Sequence, residues 1–135
     1  MSETRLEVEV EVRPTEDPEK VTTAVNRVLG DLKLESKKRE ERDFLVGKSE
    51  GAEALGKFHD LLRRERILDA ARSVMLKGLR GETITFYLNK QAAFAGHISF
   101  SQPEGESPLG PIKFEILCDD PMELIDWLTP RTMRR

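Results

Sequence analysis

Leu6, Val8, Val10 and Val12 alternate with Glu7, Glu9, Glu11 and Arg13 near the start of the chain. A period of two with β-branched residues predicts a strand with one buried and one wet face. Three glutamates on the wet face resist an added strand or a polyanion there. PTEDPEK follows: Asp17 is placed to cap a helix whose first position is Pro18. Val21, Val25, Val28 and Leu29 then form a stripe at helical spacing, and Gly30 ends it. Leu32, Leu34 and Ser36 open a second short strand. KKREERD, residues 37–43, carries four basic and three acidic side chains. That mixture reads as a solvated strand edge or loop rather than a polybasic arm. Phe44–Gly47 is a further extended piece before a turn around Ser49–Gly51.

From Ala52 to Leu79 the period is helical. Leu55, Phe58, Leu61 and Leu62 make the face of one helix; Ile67, Leu68, Ala71, Val74 and Met75 make that of a second. The RRER step between them marks a bend, and Gly78 and Gly81 close the region. TITFYL and AGHISFS read as strands joined through LNKQAAFAG, residues 88–96. QPEGESPLGP is a turn-rich loop. IKFEILC alternates again, and Asp119, Asp120 and Pro121 start a last helix, MELIDWL. The expectation is a single α+β domain over residues 1–129 with a frayed basic tail at 130–135. Its sheet would be largely antiparallel, with five or six strands, three of them a meander after the helical middle, and about four helices on one face.

Composition narrows this little. A chain of 135 residues suits one domain. One cysteine, Cys118, excludes an internal disulfide framework and a cysteine-rich zinc module. No apolar run reaches the ~18 residues of a membrane span, and MSETRLEVEVEV lacks the pattern of a secretory signal. A soluble cytoplasmic protein without a membrane partner is expected. A net charge of −3 argues against a strong nucleic-acid binder, but the charge is unevenly spread. Residues 56–100 hold eight cations (Lys57, Arg63, Arg64, Arg66, Arg72, Lys77, Arg80, Lys90) against four carboxylates (Asp60, Glu65, Asp69, Glu82). The middle is basic and the flanks are acidic.

LNKQAAFAG is the unusual stretch. A tight hairpin would use Asn-Gly or Asp-Gly; here Asn89, Lys90 and Gln91 stand at the connection. A lysine can neutralise a phosphate, and amides can contact backbone or base edges. Arg63, Arg64 and Arg66 extend these three into a candidate RNA-binding patch, suited to single-stranded or structured RNA. The competing reading is structural: Asn89 caps a turn and Gln91 ties a loop to the sheet. Most of Phe86, Tyr87, Phe94 and Phe100 should be core, and no aromatic-platform RNA module is recognisable. His59, His97 and Cys118 do not have a spacing that requires a nucleophilic site. Asp119 and Asp120 read as helix-start residues rather than metal ligands, and GKS at 47–49 lacks the glycine of a phosphate-binding loop. Neither cofactor nor metal is expected, and the protein is expected not to be an enzyme.

VRPTEDPEKV at 12–21, LLRRERILDAAR at 61–72, FYLNKQAAFAG at 86–96 and SPLGPI at 107–112 together resemble an archaeal family of uncharacterised proteins, family 0201. The resemblance covers nearly the whole chain, with the motifs in the expected order. It implies a fold similar to the fifth protein of the large ribosomal subunit, and RNA binding linked to RNA processing or the exosome. It brings no catalytic residues. The leading expectation is a non-enzymatic RNA-binding domain. The alternative is a protein-interaction or assembly module, a homodimer or accessory subunit, using the proline-rich loop with Leu109 and the open sheet face.

Overall fold

The computed structural model describes residues 3–30, 32–102 and 110–131. The first strand, β1 (Thr4–Val12), leads into α1 (Pro18–Val28), then the hairpin β2 (Leu34–Arg39) and β3 (Arg42–Glu50). A short 3-10 turn (Glu53–Leu55) precedes α2 (Gly56–Arg64) and α3 (Leu68–Lys77). Then come β4 (Leu79–Arg80), β5 (Thr83–Asn89), α4 (Lys90–Phe94), β6 (Phe100–Ser101), β7 (Pro111–Cys118) and α5 (Pro121–Leu128). The α+β class and the antiparallel sheet follow the alternation read from the sequence. The seven strands among the described residues exceed the expected five or six because β4 and β6 are only two residues each.

All strand pairings are antiparallel, in the order β2-β3-β1-β7-β5-β4, with β6 also on β5. Val8 therefore lies between Gly47 on β3 and Phe114 on β7. The last three strands are not the simple meander expected. β7 returns past β5 and inserts between it and β1. The alternation of IKFEILC explains this: Ile112, Phe114, Ile116 and Cys118 are all buried, which requires a central position over the core.

The helices cover the face formed by Leu6, Val8, Val10 and Val12. Phe58 of α2 stacks on Phe86 of β5 with centroids 5.5 Å apart, and Phe86 stacks on Phe114 of β7 at 5.0 Å. Full burial of each ring contributes roughly 1.5–3 kcal/mol, and each aromatic pair adds about 0.5–1.5 kcal/mol. Asp17 caps α1 through Glu19 N–H, and Asp120 caps α5 through Glu123 N–H, both as the sequence predicts.

Two stretches differ from expectation. AGHISFS is a strand only at Phe100–Ser101; its start is displaced by α4. KKREERD forms the tip of the β2–β3 hairpin, with Glu40 and Glu41 at φ of 49° and 66°. A two-residue type I′ hairpin turn needs left-handed backbone at both centres, and glutamates occupy them here in place of Asn-Gly. The loop with Leu109 and the tail from Thr132 lie outside the described residues.

Gly78 ends α3 against β5. Thr85 N–H donates to Gly78 O at 3.1 Å, and a Cβ at Gly78 would sit 2.0 Å from Thr85 O. The neighbour is backbone, so it cannot swing aside. Gly78→Ala is expected to lower stability by about 1–3 kcal/mol in urea unfolding; a wild-type midpoint would show that α3 can shift off β5.

Candidate nucleic-acid interface

Asn89 leaves β5 in extended backbone, and its Oδ1 accepts from Ala92 N–H at 2.8 Å. This is a helix N-cap. Five residues later the helix stops: Gly96 N–H donates to Ala93 O and His97 N–H to Ala92 O, both at 2.9 Å, with Gly96 at φ 85°. The paired bonds are a Schellman cap, in which a left-handed residue closes the helix. LNKQAAFAG is therefore a capped helix, α4, placed between two strands.

Lys90 is 4% exposed. Its Nζ donates to Glu16 Oε1 at 3.0 Å, to Glu16 Oε2 at 3.2 Å and to Glu11 O at 2.8 Å. Burial pushes its ammonium below the ordinary lysine value, and Glu16 opposes that shift. Glu16 also accepts from Arg13 N–H at 2.8 Å. The loop after β1 is thus tied to α4. Arg63 is also engaged: its guanidinium donates to His59 O, Leu128 O and Trp127 O at 3.0–3.2 Å.

Gln91, Arg64 and Arg66 are exposed. The two arginines flank Glu65, whose carboxylate meets His97 Nδ1 at 2.7 Å and accepts from Ile98 N–H at 3.3 Å. The α2–α3 corner and the segment after α4, far apart in sequence, are therefore in contact. The hydrogen bond with His97 holds the Glu65 carboxyl below its ordinary value; burial opposes this, and Ile98 N–H and the charges of His97 and Arg64 assist.

Arg66 has φ 58°. Its N–H donates to Arg63 O at 3.1 Å, and Ile67 N–H donates to Leu62 O at 3.3 Å. This is the same Schellman pattern as at Gly96, with arginine at the position that glycine fills without a steric penalty. The left-handed conformation costs a side-chain-bearing residue about 1–2 kcal/mol.

Other cations of the basic middle are anchored. Arg72 is buried and donates to Thr129 O at 2.8 Å while pairing with Asp126 at 2.8 Å. Lys57 donates to Asn26 O at 2.8 Å, and Arg80 to the carbonyls of Lys77 and Leu79 at 2.9 Å. Sequence reasoning missed Arg27 and Phe94. Arg27 donates to Phe94 O, and its guanidinium lies 4.9 Å from the Phe94 ring centroid. Phe94 is 39% exposed. The signal was present: Phe94 is the one apolar residue among Gln91–Ala95 too large for the small-residue side of a short helix.

The glutamates on the open face of β1 are covered by cations from β2 and β3. Arg42 meets Glu11 with two bonds of 2.8 and 3.0 Å, Arg39 meets Glu9 at 3.0 Å, and Lys48 lies 3.9 Å from Glu7. Arg42 lowers the Glu11 carboxyl pKa. His59, His97 and Cys118 make their contacts elsewhere: His59 stacks on Trp127 at 4.5 Å, His97 joins Glu65, and Cys118 Sγ accepts from Thr4 Oγ1 at 3.6 Å. Among the described residues no group of three or more His, Cys, Asp or Glu is placed to hold a metal ion, and no helix is long and apolar enough to cross a membrane.

A protein from Sulfurisphaera tokodaii is 51% identical over 131 residues, spanning 97% of this chain and 90% of its own. One from Aeropyrum pernix is 46% identical, spanning 98% and 89%. Both are UPF0201 proteins. This chain belongs to the UPF0201 family. The UPF0201 crystal structure from Methanococcus jannaschii superposes with a TM-score of 0.84 at 35% identity, covering 96% and 95% of the two chains. The family model described as "RNA binding" matches residues 5–117. That match runs from β1 into β7 and includes α4 and the α2–α3 corner.

Two expectations follow. Lys90→Ala would leave the Glu16 carboxylate buried without its ammonium, at a cost of about 3–5 kcal/mol. Replacing both Glu16 and Lys90 by methionine should cost less than that single change, as read by urea unfolding. Equal or larger loss in the double variant would show that the pair is not the source of the effect. For Glu65, a depressed folded pKa means a contribution present above the ordinary carboxylate range and lost as pH falls through the folded value. Glu65→Gln should therefore flatten the acid limb of the stability curve, and an unaltered limb would show that the His97 contact is not coupled to folding.

Proposed function

We propose that this UPF0201 protein is a non-enzymatic RNA-binding domain that meets RNA on its helical face, at the corner carrying Arg64 and Arg66. The observation that carries the reading is Arg66. A helix end that glycine would close without strain holds an exposed arginine in left-handed backbone. Local stability gives no reason for that side chain, and strain of this kind gathers at functional positions. Arg64 is exposed beside it, and the Glu65 contacts with His97 and Ile98 join this corner to the segment after α4. Gln91, exposed on α4, supplies an amide for backbone or base contacts.

The family model described as "RNA binding" supports the same class of partner. Asn89, Lys90 and Arg63 serve in this proposal by holding α4 and α5 in place, since their polar groups bond within the protein. Association with RNA-processing machinery, the exosome included, belongs to the same proposal and rests on the sequence resemblance alone.

Fluorescence anisotropy with single-stranded, hairpin and duplex RNAs at two salt concentrations tests it. Binding should weaken as salt rises, because phosphate contacts release counterions. Arg66→Gly is expected to keep stability within about 1 kcal/mol of wild type. The same variant should bind RNA several-fold more weakly and reduce the salt slope by about 0.7 on a single strand. Wild-type affinity in the Arg64→Ala/Arg66→Gly protein would place the interface elsewhere. Absence of binding at low salt, with the protein retained by a second copy or a protein partner, would favour the assembly reading.

A further inference from the structure

α1 and α4 enclose a groove of about 330 Å³. Lys20, Val21 and Ala24 form its α1 wall, and Gln91 and Phe94 its α4 wall. Thr15, Glu16 and Asp17 close one end, where Lys90 also reaches the surface of the groove. Val21, Ala24 and Phe94 give the lining its apolar surface, and Lys20 and Gln91 add a polar group to each wall. Phe94 is among the few large apolar residues left exposed, and α4 presents it one turn after Gln91. Arg27, on the same side of α1 as Lys20 and Ala24, lies over its ring.

We propose that this groove takes a single unpaired RNA base, stacked on Phe94 and read along its edge by Gln91. The inference rests on the RNA-binding reading above and adds what that reading lacks: a preference for unpaired over paired nucleotides. Four observations select this occupant. The volume admits a flat ring system, and a base stacked inside a duplex has no free face to lay on Phe94. An exposed ring with a guanidinium beside it is the surface on which bases stack without regard to sequence. The amide at Gln91 offers both a donor and an acceptor, as an exposed base edge requires. Charge also matches. Glu16 is neutralised by Lys90, and the negative charge of Asp17, the N-cap of α1, is offset by Lys20 in the same lining. Lys20 and Arg27 are then the cations nearest the mouth, where the attached phosphates would run.

The other depressions fit this ligand less well. One, about 810 Å³, is bordered by Glu3, Glu50, Glu53, Glu82 and Asp119 against the single cation Arg5, a net negative lining that disfavours a phosphate. The depression over the open sheet face, about 130 Å³, lies among cross-strand ion pairs.

The test measures affinity of the wild type, Phe94→Leu and Phe94→Tyr for a labelled single-stranded RNA, for the same RNA annealed as a blunt duplex, and for an abasic strand of equal length. Phe94→Leu keeps an apolar side chain but removes the ring, and should weaken binding of the single strand about 5- to 100-fold. Phe94→Tyr should retain it. Duplex and abasic strands should bind weakly to all three proteins, with no effect of either substitution. If the wild type binds the abasic strand as well as the intact one, or if folded Phe94→Leu binds the single strand like wild type, the base pocket is overturned while RNA binding through Arg64 and Arg66 stands. If the wild type binds none of the three nucleic acids, both readings fall. Should Phe94→Leu not fold, the abasic comparison on the wild type decides alone.

Discussion

The buried ion pair of Lys90 with Glu16 constrains the side of the molecule on which the proposed site lies. Removing an ammonium from water costs several kcal/mol unless it is fully bonded. Here the carboxylate of Glu16 and the carbonyl of Glu11 both accept from it. Those partners come from the end of β1 and the loop that follows, 74 and 79 residues earlier in the chain. Because the ammonium has to meet both, the start of α4 and the entrance to α1 have little freedom to part. The groove between these helices, with Phe94 and Gln91 on one wall, follows from that closure.

A similar device holds the far end of the helical layer. Arg63 of α2 and Arg72 of α3 donate to the last carbonyls around α5, at Trp127, Leu128 and Thr129. Cations at a helix C-terminus satisfy its unpaired carbonyls and oppose its dipole. Much of the positive charge in the middle of the sequence therefore performs intramolecular work. The open sheet face is similarly self-neutralised, since the glutamates of β1 lie beside Arg39, Arg42 and Lys48. On the helical side, exposed cations include Arg64 and Arg66 at one corner and Lys20 beside the groove, where Arg27 is held over Phe94.

Arg66 and Gly96 show how one motif can answer to different demands. Both close a helix with the same pair of hydrogen bonds and the same left-handed residue. At Gly96 the residue agrees with the local conformation; at Arg66 it conflicts with it. Glu40 and Glu41 at the β2–β3 turn carry a like conflict, and such conflicts mark places where another requirement overrides local stability.

Much of the architecture was legible without coordinates. Alternation in β1 and β7 placed Leu6, Val8, Phe114 and Ile116 in the core, because a strand turns every second side chain the same way. Asp17-Pro18 and Asp120-Pro121 located two helix starts through local capping chemistry. The break at RRER separated α2 from α3. The composition of LNKQAAFAG also held its own answer, an N-cap at Asn89 and a C-cap glycine at Gly96, but two flanking strand-like runs suggested a plain connection instead. Tertiary structure alone decided which cations face solvent. Lys90 and Arg66 are both cations, yet one is buried against Glu16 and the other is exposed. Periodicity reports which face of an element is apolar. It carries no information about a carboxylate many residues away that makes burial of an ammonium tolerable, and that distant partner separates the structural residues of this stretch from those left free to bind.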